Sequence, residues 1–424
     1  MIYGGSAVAA AGVAAVAGIP IFREWGRLSV GPYVGAAVVA LALARTARAG
    51  IAARVWLAAV LAAGVIVVPL ALEVAWRAET DPGLHVQSEA IVTEEAARAL
   101  VHGRDPYEVD YLAGPLAARP LPTKTHFPYM PAMLAFGLPR ALFGTHAWTD
   151  ARLWFLAAAA AVAGLALTRR PSAPADRRLR LAQWLFLIPT GALSAVAGGH
   201  DLPALALLLL AFVLLDEGHP SMAGLATGLA VALKQTAFLV APFVLIAAAA
   251  RSAGRRPIDM ARPVAGAALV AAAVVLPFLA WGPASFFEDA IRFPLSPGPG
   301  GNPNDAPSLG HALVAAFPHA RGTITAALLA AALVVWGWLL VRPAPTIADA
   351  ARRAGIAFLA VLVLLPAPRV GYLAYPINLL AWAWAFGDDP RSRCRGGTVR
   401  SARRERMGWG ATVVPPGPTG SAHE

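Results

Sequence analysis

The chain has 424 residues, of which 58% are hydrophobic and only 14% charged, and its formal net charge is +11. This balance excludes a soluble globular protein and predicts an all-α protein that crosses a membrane several times, because lipid admits only helices and closed barrels and the apolar runs do not alternate in polarity. The positive charge lies in short Arg-rich connections and in the tail, which indicates membrane topology and lipid contact and excludes a basic nucleic-acid-binding module. The single cysteine, Cys394, excludes an intramolecular disulfide.

Three apolar runs open the chain, at residues 5–21, 29–44 and 55–76. The first lacks the positively charged start of a signal peptide, which favours an uncleaved span, with a signal peptide as the alternative. Arg45, Arg48 and Arg54 lie between the second and third runs, and the positive-inside rule assigns them to the cytoplasm. The third run therefore ends on the outer face, and residues 1–77 form an N-terminal unit of membrane helices.

An acidic connection follows at residues 78–126, and we interpret it as an outer-face loop that carries the catalytic site. Ser88 predicts the N-cap of a helix at 89–101, Gly103 its end, and residues 104–107 a turn. The weakly apolar side of this helix predicts that it lies on the membrane surface. The connection holds a third of the chain's 24 acidic residues, namely Glu79, Asp81, Glu89, Glu94, Glu95, Asp105, Glu108 and Asp110.

Glu89 is the candidate catalytic residue of this loop. It shares one helix face with Thr93 at i, i+4 spacing. A carboxylate at the head of such a helix is suited to act as a general base toward a sugar hydroxyl. The alternative is that all eight acids are solvated loop charges.

Residues 127–388 are predicted to form a transmembrane helical core. Within it, residues 127–144 contain three prolines and an arginine, which predicts a re-entrant or interfacial segment. Residues 222–250 are too long for one span and are interrupted by Lys234 and Gln235, which predicts two short segments that meet at a polar break. An outer loop is expected at 283–321, and a basic, partly disordered cytoplasmic tail at 389–424.

Several polar residues interrupt this core and are candidates for substrate binding. Lys234 is the only lysine inside an apolar run, which suits a phosphate contact, with snorkelling to the interface as the alternative. His200 and Asp201 form either an acid/base or sugar-binding pair or a tight hairpin turn. Arg369 enters the last span and is either a second phosphate contact or a topological charge.

Three loop residues complete the set of candidates. Asp105 lies in the turn after the acidic helix, and His126 and His311 lie at boundaries between loops and membrane. The sequence contains no Walker motif, no dinucleotide fingerprint and no His/Cys spacing of a metal site, so neither a cofactor nor a metal is expected.

Three segments, in order over residues 87–246, resemble a known family. They are EAIVTEEAARALVHGRDPY, THFPYMPAMLAFGLPRALFG and AGGHDLPALALLLLAFVLLDEGHPSMAGLATGLAVALKQTAFLVAPFVLI. Together they are similar to the polyprenol-phosphate-dependent mannosyltransferases of glycosyltransferase family 87. The first segment resembles the one that follows the family's outer-loop acidic residue, and the second resembles the family's "Y-x-P-P" element. The third resembles the family's Gly-Gln/His-Asn/Asp turn and the "A-G-x-x-x-G-L-A-x-x-x-K" element after it.

The resemblance implies a GT-C fold with the active site in outer-face loops. It also implies a polyprenyl-phosphate-linked sugar donor, commonly of mannose, and inverting transfer without a bound metal. The family's catalytic Asp falls at or near Glu89, and its neighbouring aromatic residue falls on Thr93. Near the end, PAPRVGYLAYP replaces the family's Ser-Pro…Trp…His-Tyr pattern.

The sequence thus predicts a bacterial plasma-membrane glycosyltransferase that acts at the outer (periplasmic) face. Its expected partners are a polyprenyl-phosphate-linked sugar donor, a glycolipid or glycan acceptor and membrane lipids, with no nucleic acid. Glu89 is the expected base, Lys234 and Arg369 bind the phosphate, and His200, Asp201 and Asp105 contact the sugar.

Two alternatives remain. A transporter or flippase of lipid-linked sugars would also need intramembrane cations, although the single clear broken segment and the lopsided outer loop favour an enzyme. The other alternative is a non-catalytic relative that binds polyprenyl lipid.

Overall fold

The computed structural model of the chain describes residues 2–46, 50–117, 125–169, 174–252, 257–295, 308–366 and 368–387. Within these ranges every regular element is helical and no strand occurs, which confirms the all-α prediction. The predicted tail at 389–424, with Cys394, lies outside the described residues, as do residues 296–307 of the expected loop at 283–321.

The described α-helices are numbered here in chain order. The first group is α1 (Ile2–Val16), α2 (Pro20–Arg45), α3 (Ile51–Ala62), α4 (Val68–Glu79), α5 (Ser88–Val101), α6 (Leu138–Phe143) and α7 (Ala151–Thr168). The second is α8 (Ala175–Ala182), α9 (Pro189–Ala197), α10 (Leu202–Asp216), α11 (Pro220–Leu233), α12 (Ala241–Arg251) and α13 (Pro257–Trp281). The third is α14 (Pro283–Phe287), α15 (Phe293–Leu295), α16 (Leu309–Ala316), α17 (Arg321–Val341), α18 (Ile347–Leu364) and α19 (Ala374–Gly387).

Five of the described helices are long and apolar enough to cross a membrane: Pro20–Arg45, Ile51–Glu79, Ala151–Thr168, Pro257–Trp281 and Pro318–Val341. The second of these joins α3 to α4 through a π-helical turn. A sixth results if Ala175–Leu187, which is α8 with the π-helical turn that follows it, and α9 count as one span despite the 50° bend between them. Helices α1, α10, α11 and α12 are apolar but shorter. Together they describe a multi-pass membrane protein.

The N-terminal helices differ from the predicted runs. α1 ends at Val16 and α2 already begins at Pro20, whereas the second run was expected to begin at residue 29. A helix of 15 residues rises about 22 Å, which is less than the roughly 30 Å hydrocarbon thickness. α1 instead packs along α2, and Gly26 permits close contact because a Cβ there would lie 2.6 Å from the backbone nitrogen of Ala14.

Helix α10 lies at the centre of the fold. Every residue from Leu202 to Leu215 is buried, and an apolar surface on all sides is typical of a helix enclosed by other helices. α7 and α11 pack against it. By contrast, α13 exposes large apolar side chains such as Leu269 and Leu276, as expected of a surface that faces lipid.

The acidic helix α5 packs against protein on its apolar side, and its location on the membrane surface stays a prediction. Eight of its residues are buried, including the carboxylate Glu94. It packs so closely on the start of α6 that a Cβ on Gly137 would lie 2.2 Å from the Thr93 carbonyl oxygen. Its N-cap is Gln87 rather than Ser88, and the Gln87 N–H donates to the Ala197 carbonyl at 2.9 Å.

Two predicted helix breaks are confirmed. α9 ends at Ala197 and α10 begins at Leu202, with Gly199 at a positive φ of 69° in the turn between them. α11 ends at Leu233, and a 3₁₀ turn at Gln235–Leu239 separates it from α12. Residues 127–144 form only a 3₁₀ helix (Pro131–Phe136) and α6, both too short to cross the membrane, as predicted.

Candidate active site

The two helix breaks meet at an ion pair. Lys234 Nζ lies 2.5 Å from Asp201 Oδ1, and the Tyr375 hydroxyl donates to the same oxygen at 2.9 Å. His200 Nε2 lies 3.3 Å from the other oxygen, Asp201 Oδ2. The side chain of Lys234 is only 1% exposed, so it is held inside the protein and does not snorkel to the interface. A buried ammonium requires a compensating charge, and Asp201 supplies it.

Aromatic rings enclose this ion pair. Lys234 Nζ lies 5.6 Å from the ring centroid of Tyr129 and 5.3 Å from that of Tyr372, within the range of cation–π attraction. The Tyr129 ring also contacts His200, with centroids 5.2 Å apart. The ammonium group of Lys234 therefore contacts aromatic rings as well as the Asp201 carboxylate.

Glu89 and Arg369 form a second ion pair beside the first. Arg369 Nη1 lies 3.4 Å from Glu89 Oε1, although the two residues are 280 positions apart in the chain. Glu89 lies in the first turn of α5, where a negative charge interacts favourably with the helix dipole. Arg369 is the N-cap of the 3₁₀ turn Val370–Leu373. Their side chains are 10% and 14% exposed, so both remain partly accessible.

Both pairs belong to one site, which we call the Lys234 cluster. The turn that Arg369 caps carries Tyr372, whose ring centroid lies 5.3 Å from Lys234 Nζ. The members of the cluster are Glu89, Tyr129, His200, Asp201, Lys234, Arg369, Tyr372 and Tyr375.

The Lys234 cluster contains two cations whose N–H groups are not all used. Arg369 Nε is buried without a hydrogen-bond partner among the described residues, and Lys234 Nζ has only the ion-pair contact with Asp201 among the described acceptors. Buried donors are nearly always satisfied, so these N–H groups are suited to an oxygen-rich anion. A phosphate supplies three acceptor oxygens, which matches this requirement.

A second group of polar residues, the Asp289 cluster, lies outside the candidate spans and comprises Asp105, His126, Glu288 and Asp289. Asp289 Oδ2 accepts the Phe127 N–H at 2.7 Å, and His126 Nε2 lies 3.9 Å from Asp289 Oδ1. Burial raises the pKa of Asp289 to about 8, and the neighbouring charges of Glu288 and Asp105 act in the same direction. Burial also raises the pKa of Asp105, whose Oδ2 has no hydrogen-bond partner in the described part of the chain.

One chain segment connects the two clusters. The Tyr107 hydroxyl donates to the Tyr129 carbonyl at 2.9 Å. The Gln235 amide donates to the carbonyls of Pro128 (3.0 Å) and Ala290 (2.7 Å), directly beside Lys234. The backbone around residues 127–129 is therefore held between the two clusters.

A buried ion-pair network fixes α5 in the fold. Arg77 donates to both oxygens of Glu94, at 3.0 and 2.7 Å, and to Asp150 Oδ2 at 2.7 Å. Arg152 forms a bidentate contact with Asp150, at 2.9 and 2.8 Å, and Arg140 Nε lies 3.3 Å from Glu94. The network joins α4, α5 and α7, so the helix that carries Glu89 has a defined position.

The sequence-predicted residues separate into three groups in the structure. Glu89, His200, Asp201, Lys234 and Arg369 converge in the Lys234 cluster, whereas Asp105 and His126 belong to the Asp289 cluster. His311 lies on α16, and within the described residues its side chain makes no hydrogen bond or ion pair with either cluster.

Sequence reasoning missed Tyr129 as a site residue and missed the role of Glu94, which it counted among the loop acids. The only local signal for the network was the presence of arginines at the ends of apolar helices.

Residues 127–387 match glycosyltransferase family 87. The matched region includes Asp201, Lys234 and Arg369 and begins after Glu89. No curated protein matches the chain. Among solved structures, ArnT from Cupriavidus metallidurans bound to undecaprenyl phosphate aligns with 81% of this chain, at 16% identity and a TM-score of 0.45. The alignment spans 64% of the ArnT chain. Since the family match covers more than half of its residues, the chain belongs to glycosyltransferase family 87.

Proposed function

We propose that this protein transfers a sugar, most simply mannose, from a polyprenyl-phosphate-linked donor to a hydroxyl of an envelope glycolipid or glycan. The proposal rests on the Lys234 cluster, where a partly accessible carboxylate adjoins two cations, and Arg369 Nε has no acceptor among the described residues. A glycosyltransferase with such a donor needs both features, one for the acceptor hydroxyl and one for the phosphate. The site is assigned to the outer face of the bacterial plasma membrane, with the tail in the cytoplasm, on the positive-inside rule.

Glu89 is assigned the role of general base. Its carboxylate takes the proton of the acceptor hydroxyl as the oxygen attacks the anomeric carbon. The bond between that carbon and the phosphate oxygen breaks, and its electron pair leaves with the polyprenyl phosphate. Attack opposite the leaving group inverts the configuration at the anomeric carbon. The same carboxylate chemistry is available to Glu as to the Asp that the family resemblance implies.

Arg369 and Lys234 are assigned to the donor phosphate. The contact of Arg369 with Glu89 is long, at 3.4 Å, and uses only one of its five N–H groups. Its free Nε can therefore donate to a phosphate while Nη1 still orients Glu89. As negative charge accumulates on the departing phosphate, two preorganised cations stabilise it without rearrangement of the site.

The remaining candidates are assigned to sugar and acceptor recognition. His200 and Asp201 border Lys234 and are therefore positioned for the hydroxyls of the donor sugar. Asp105 and His126 lie in the Asp289 cluster, which we assign to the acceptor side because segment 127–129 connects it to the reaction centre. His311 is not included, since its side chain makes no hydrogen bond or ion pair with either cluster within the described residues.

The test compares a deletion strain of the native host complemented with wild type, Glu89→Gln or Glu79→Gln. Glu79 is an exposed carboxylate at the end of α4 and is the matched control. We expect one glycan to lose one sugar on deletion, and Glu79→Gln but not Glu89→Gln to restore it at equal membrane abundance. The identity of the lost sugar tests the assignment of mannose.

Two results would oppose the proposal. Full restoration by Glu89→Gln would remove the base assignment and, with retained polyprenyl-lipid binding, would indicate a non-catalytic relative. Loss of an entire lipid-linked species from the outer leaflet would indicate a flippase.

A further inference from the structure

Three potential metal ligands converge from three elements outside both clusters. Glu24 lies near the start of α2, Glu73 lies on α4, and His85 lies in the segment before α5. His85 Nδ1 is 3.0 Å from Glu73 Oε2 and 3.3 Å from Glu24 Oε2. One ligand atom from each residue lies within 4.8 Å of those of the other two.

Two carboxylates and one imidazole meet in this group. Glu73 is 0% exposed, and its Oε1 is buried without a hydrogen-bond partner among the described residues. A second carboxylate, Glu24, lies against the same imidazole. Arg152, whose guanidinium donates to the His85 carbonyl, also binds Asp150 and the Val196 carbonyl. A buried carboxylate with an unpaired oxygen is costly, and a bound cation removes that cost.

We propose that Glu24, Glu73 and His85 bind a divalent first-row metal ion, with Zn²⁺ as the best fit. One imidazole nitrogen and two carboxylate oxygens are a donor set that Zn²⁺ accepts at about 2.0–2.2 Å, and tetrahedral geometry then separates the ligand atoms by roughly 3.4 Å. The observed separations of 3.0 and 3.3 Å are close to that value. Mg²⁺ and Ca²⁺ prefer purely oxygen ligands and fit less well.

The orientation of His85 is fixed by its surroundings. Its carbonyl accepts a hydrogen bond from Arg152 Nη1 at 2.7 Å, and the Trp76 ring lies 5.5 Å from the imidazole. Its φ of 55° is the one positive value among the described non-glycine residues. Such a conformation costs free energy and persists only where the surroundings impose it. The surroundings of His85 therefore direct Nδ1 toward both carboxylates, as supporting contacts of metal ligands commonly do.

The metal would have a positioning role. It would join α2, α4 and the segment that leads into α5, and His85 precedes Glu89 by only four residues. Its loss would loosen the entry of α5 and thus the candidate base, although the ion itself would take no part in sugar transfer. The site is therefore separable from the proposed function, since metal binding can be present whether or not Glu89 is the base.

The experiment measures metal content and thermal stability of the full chain in detergent, purified with a tag that contains no histidine. After dialysis against metal-free buffer, we expect about one zinc per chain by elemental mass spectrometry. EDTA is expected to lower the melting temperature, and added Zn²⁺ to restore it. Glu73→Gln and His85→Ala should lose the zinc and the Zn²⁺-dependent shift. Glu24→Gln, at a partly exposed position, serves if either variant does not fold.

Matched controls are Glu79→Gln, a carboxylate on the same helix, and His102→Ala, an exposed imidazole. Both should retain zinc and the temperature shift. The proposal is overturned if wild type contains no metal and neither Zn²⁺ nor Mn²⁺ changes its melting temperature, in which case the two carboxylates share a proton. It is equally overturned if the ligand variants retain the zinc content of wild type.

Discussion

The Lys234–Asp201 pair allows a quantitative test of how the protein maintains charge in its interior. Asp201→Asn removes one negative charge but keeps an oxygen that can accept from Tyr375. The ammonium of Lys234 then remains buried without a counterion. Coulomb attraction at the observed 2.5 Å is about 7 kcal/mol for an effective dielectric constant of about 20. Part of the lost attraction is offset, because the neutral Asn side chain does not carry the free-energy cost of burying a carboxylate. Removing one partner of a buried ion pair typically costs about 3–5 kcal/mol in total.

We therefore expect Asp201→Asn to destabilise the protein by about 3–5 kcal/mol. Lys234→Met should cost a similar amount, because it leaves Asp201 as the uncompensated charge. The double variant Asp201→Asn/Lys234→Met contains no unpaired charge and should recover most of the loss. The coupling between the two sites, obtained from the double-mutant cycle, should thus be large.

Stability is measured by reversible unfolding in mixed detergent micelles, with thermal midpoints as a second readout. Asp259→Asn is the control, since the Asp259–Arg262 pair is partly exposed and should contribute less than the buried pair. The reasoning fails if Asp201→Asn is as stable as wild type. It also fails if the double variant is no more stable than the less stable single variant, because the charges would then not compensate each other.

Three further predictions concern other parts of the structure. Glu94→Gln should destabilise the protein by about 3–5 kcal/mol, because Glu94 is buried between Arg77 and Arg140. The control Glu95→Gln, beside the partly exposed Arg98, should change the thermal midpoint little. Gly137→Ala should destabilise the protein by about 1–3 kcal/mol or more, because the added Cβ would lie 2.2 Å from the Thr93 carbonyl oxygen. The control Gly164→Ala on α7 should not destabilise it, because a Cβ there meets nothing within 4 Å. The folded-state pKa of Asp289, about 8, lies above its unfolded value of 3.8, so the folded state binds the extra proton. The stabilisation that Asp289 contributes is fully present below a pH of about 4 and is lost as the pH rises toward 8. Asp289→Asn should remove this part of the pH dependence of the unfolding free energy, measured from about pH 4 to 9.

The helical fold and its breaks were predictable because their signals are local. Long apolar runs indicate helices in a membrane, and a polar pair such as Lys234 and Gln235 inside a run marks the point where the helix stops. The same holds for His200 and Asp201 between α9 and α10. In each case the neighbouring residues alone indicate the break, because polar groups inside an apolar run are costly to bury in a continuous membrane helix.

The packing of α5 was not predictable in this way. Glu94 lies in the most acidic segment of the chain, where a carboxylate is ordinarily solvated, and its partners Arg77 and Asp150 belong to other helices. Its burial depends on where those helices pack. The same limit applies to the contact of Glu89 with Arg369 across 280 residues and to the group formed by Glu24, Glu73 and His85, which no sequence spacing reveals.

The way in which α5 is held also bears on the choice between an enzyme and a flippase. Transport by alternating access requires one part of the protein to move against another around the bound substrate. Here the helix that carries Glu89 is joined to α4 through Arg77 and to α7 through the Ala151 N–H, which donates to Glu94 at 3.0 Å. Breaking these contacts would expose several buried charges at once, which is costly. A fixed carboxylate beside fixed cations is instead the arrangement that stabilises developing charge in a transition state, because no free energy is spent on reorganisation during the reaction. The anchoring of α5 therefore favours the glycosyltransferase over the flippase.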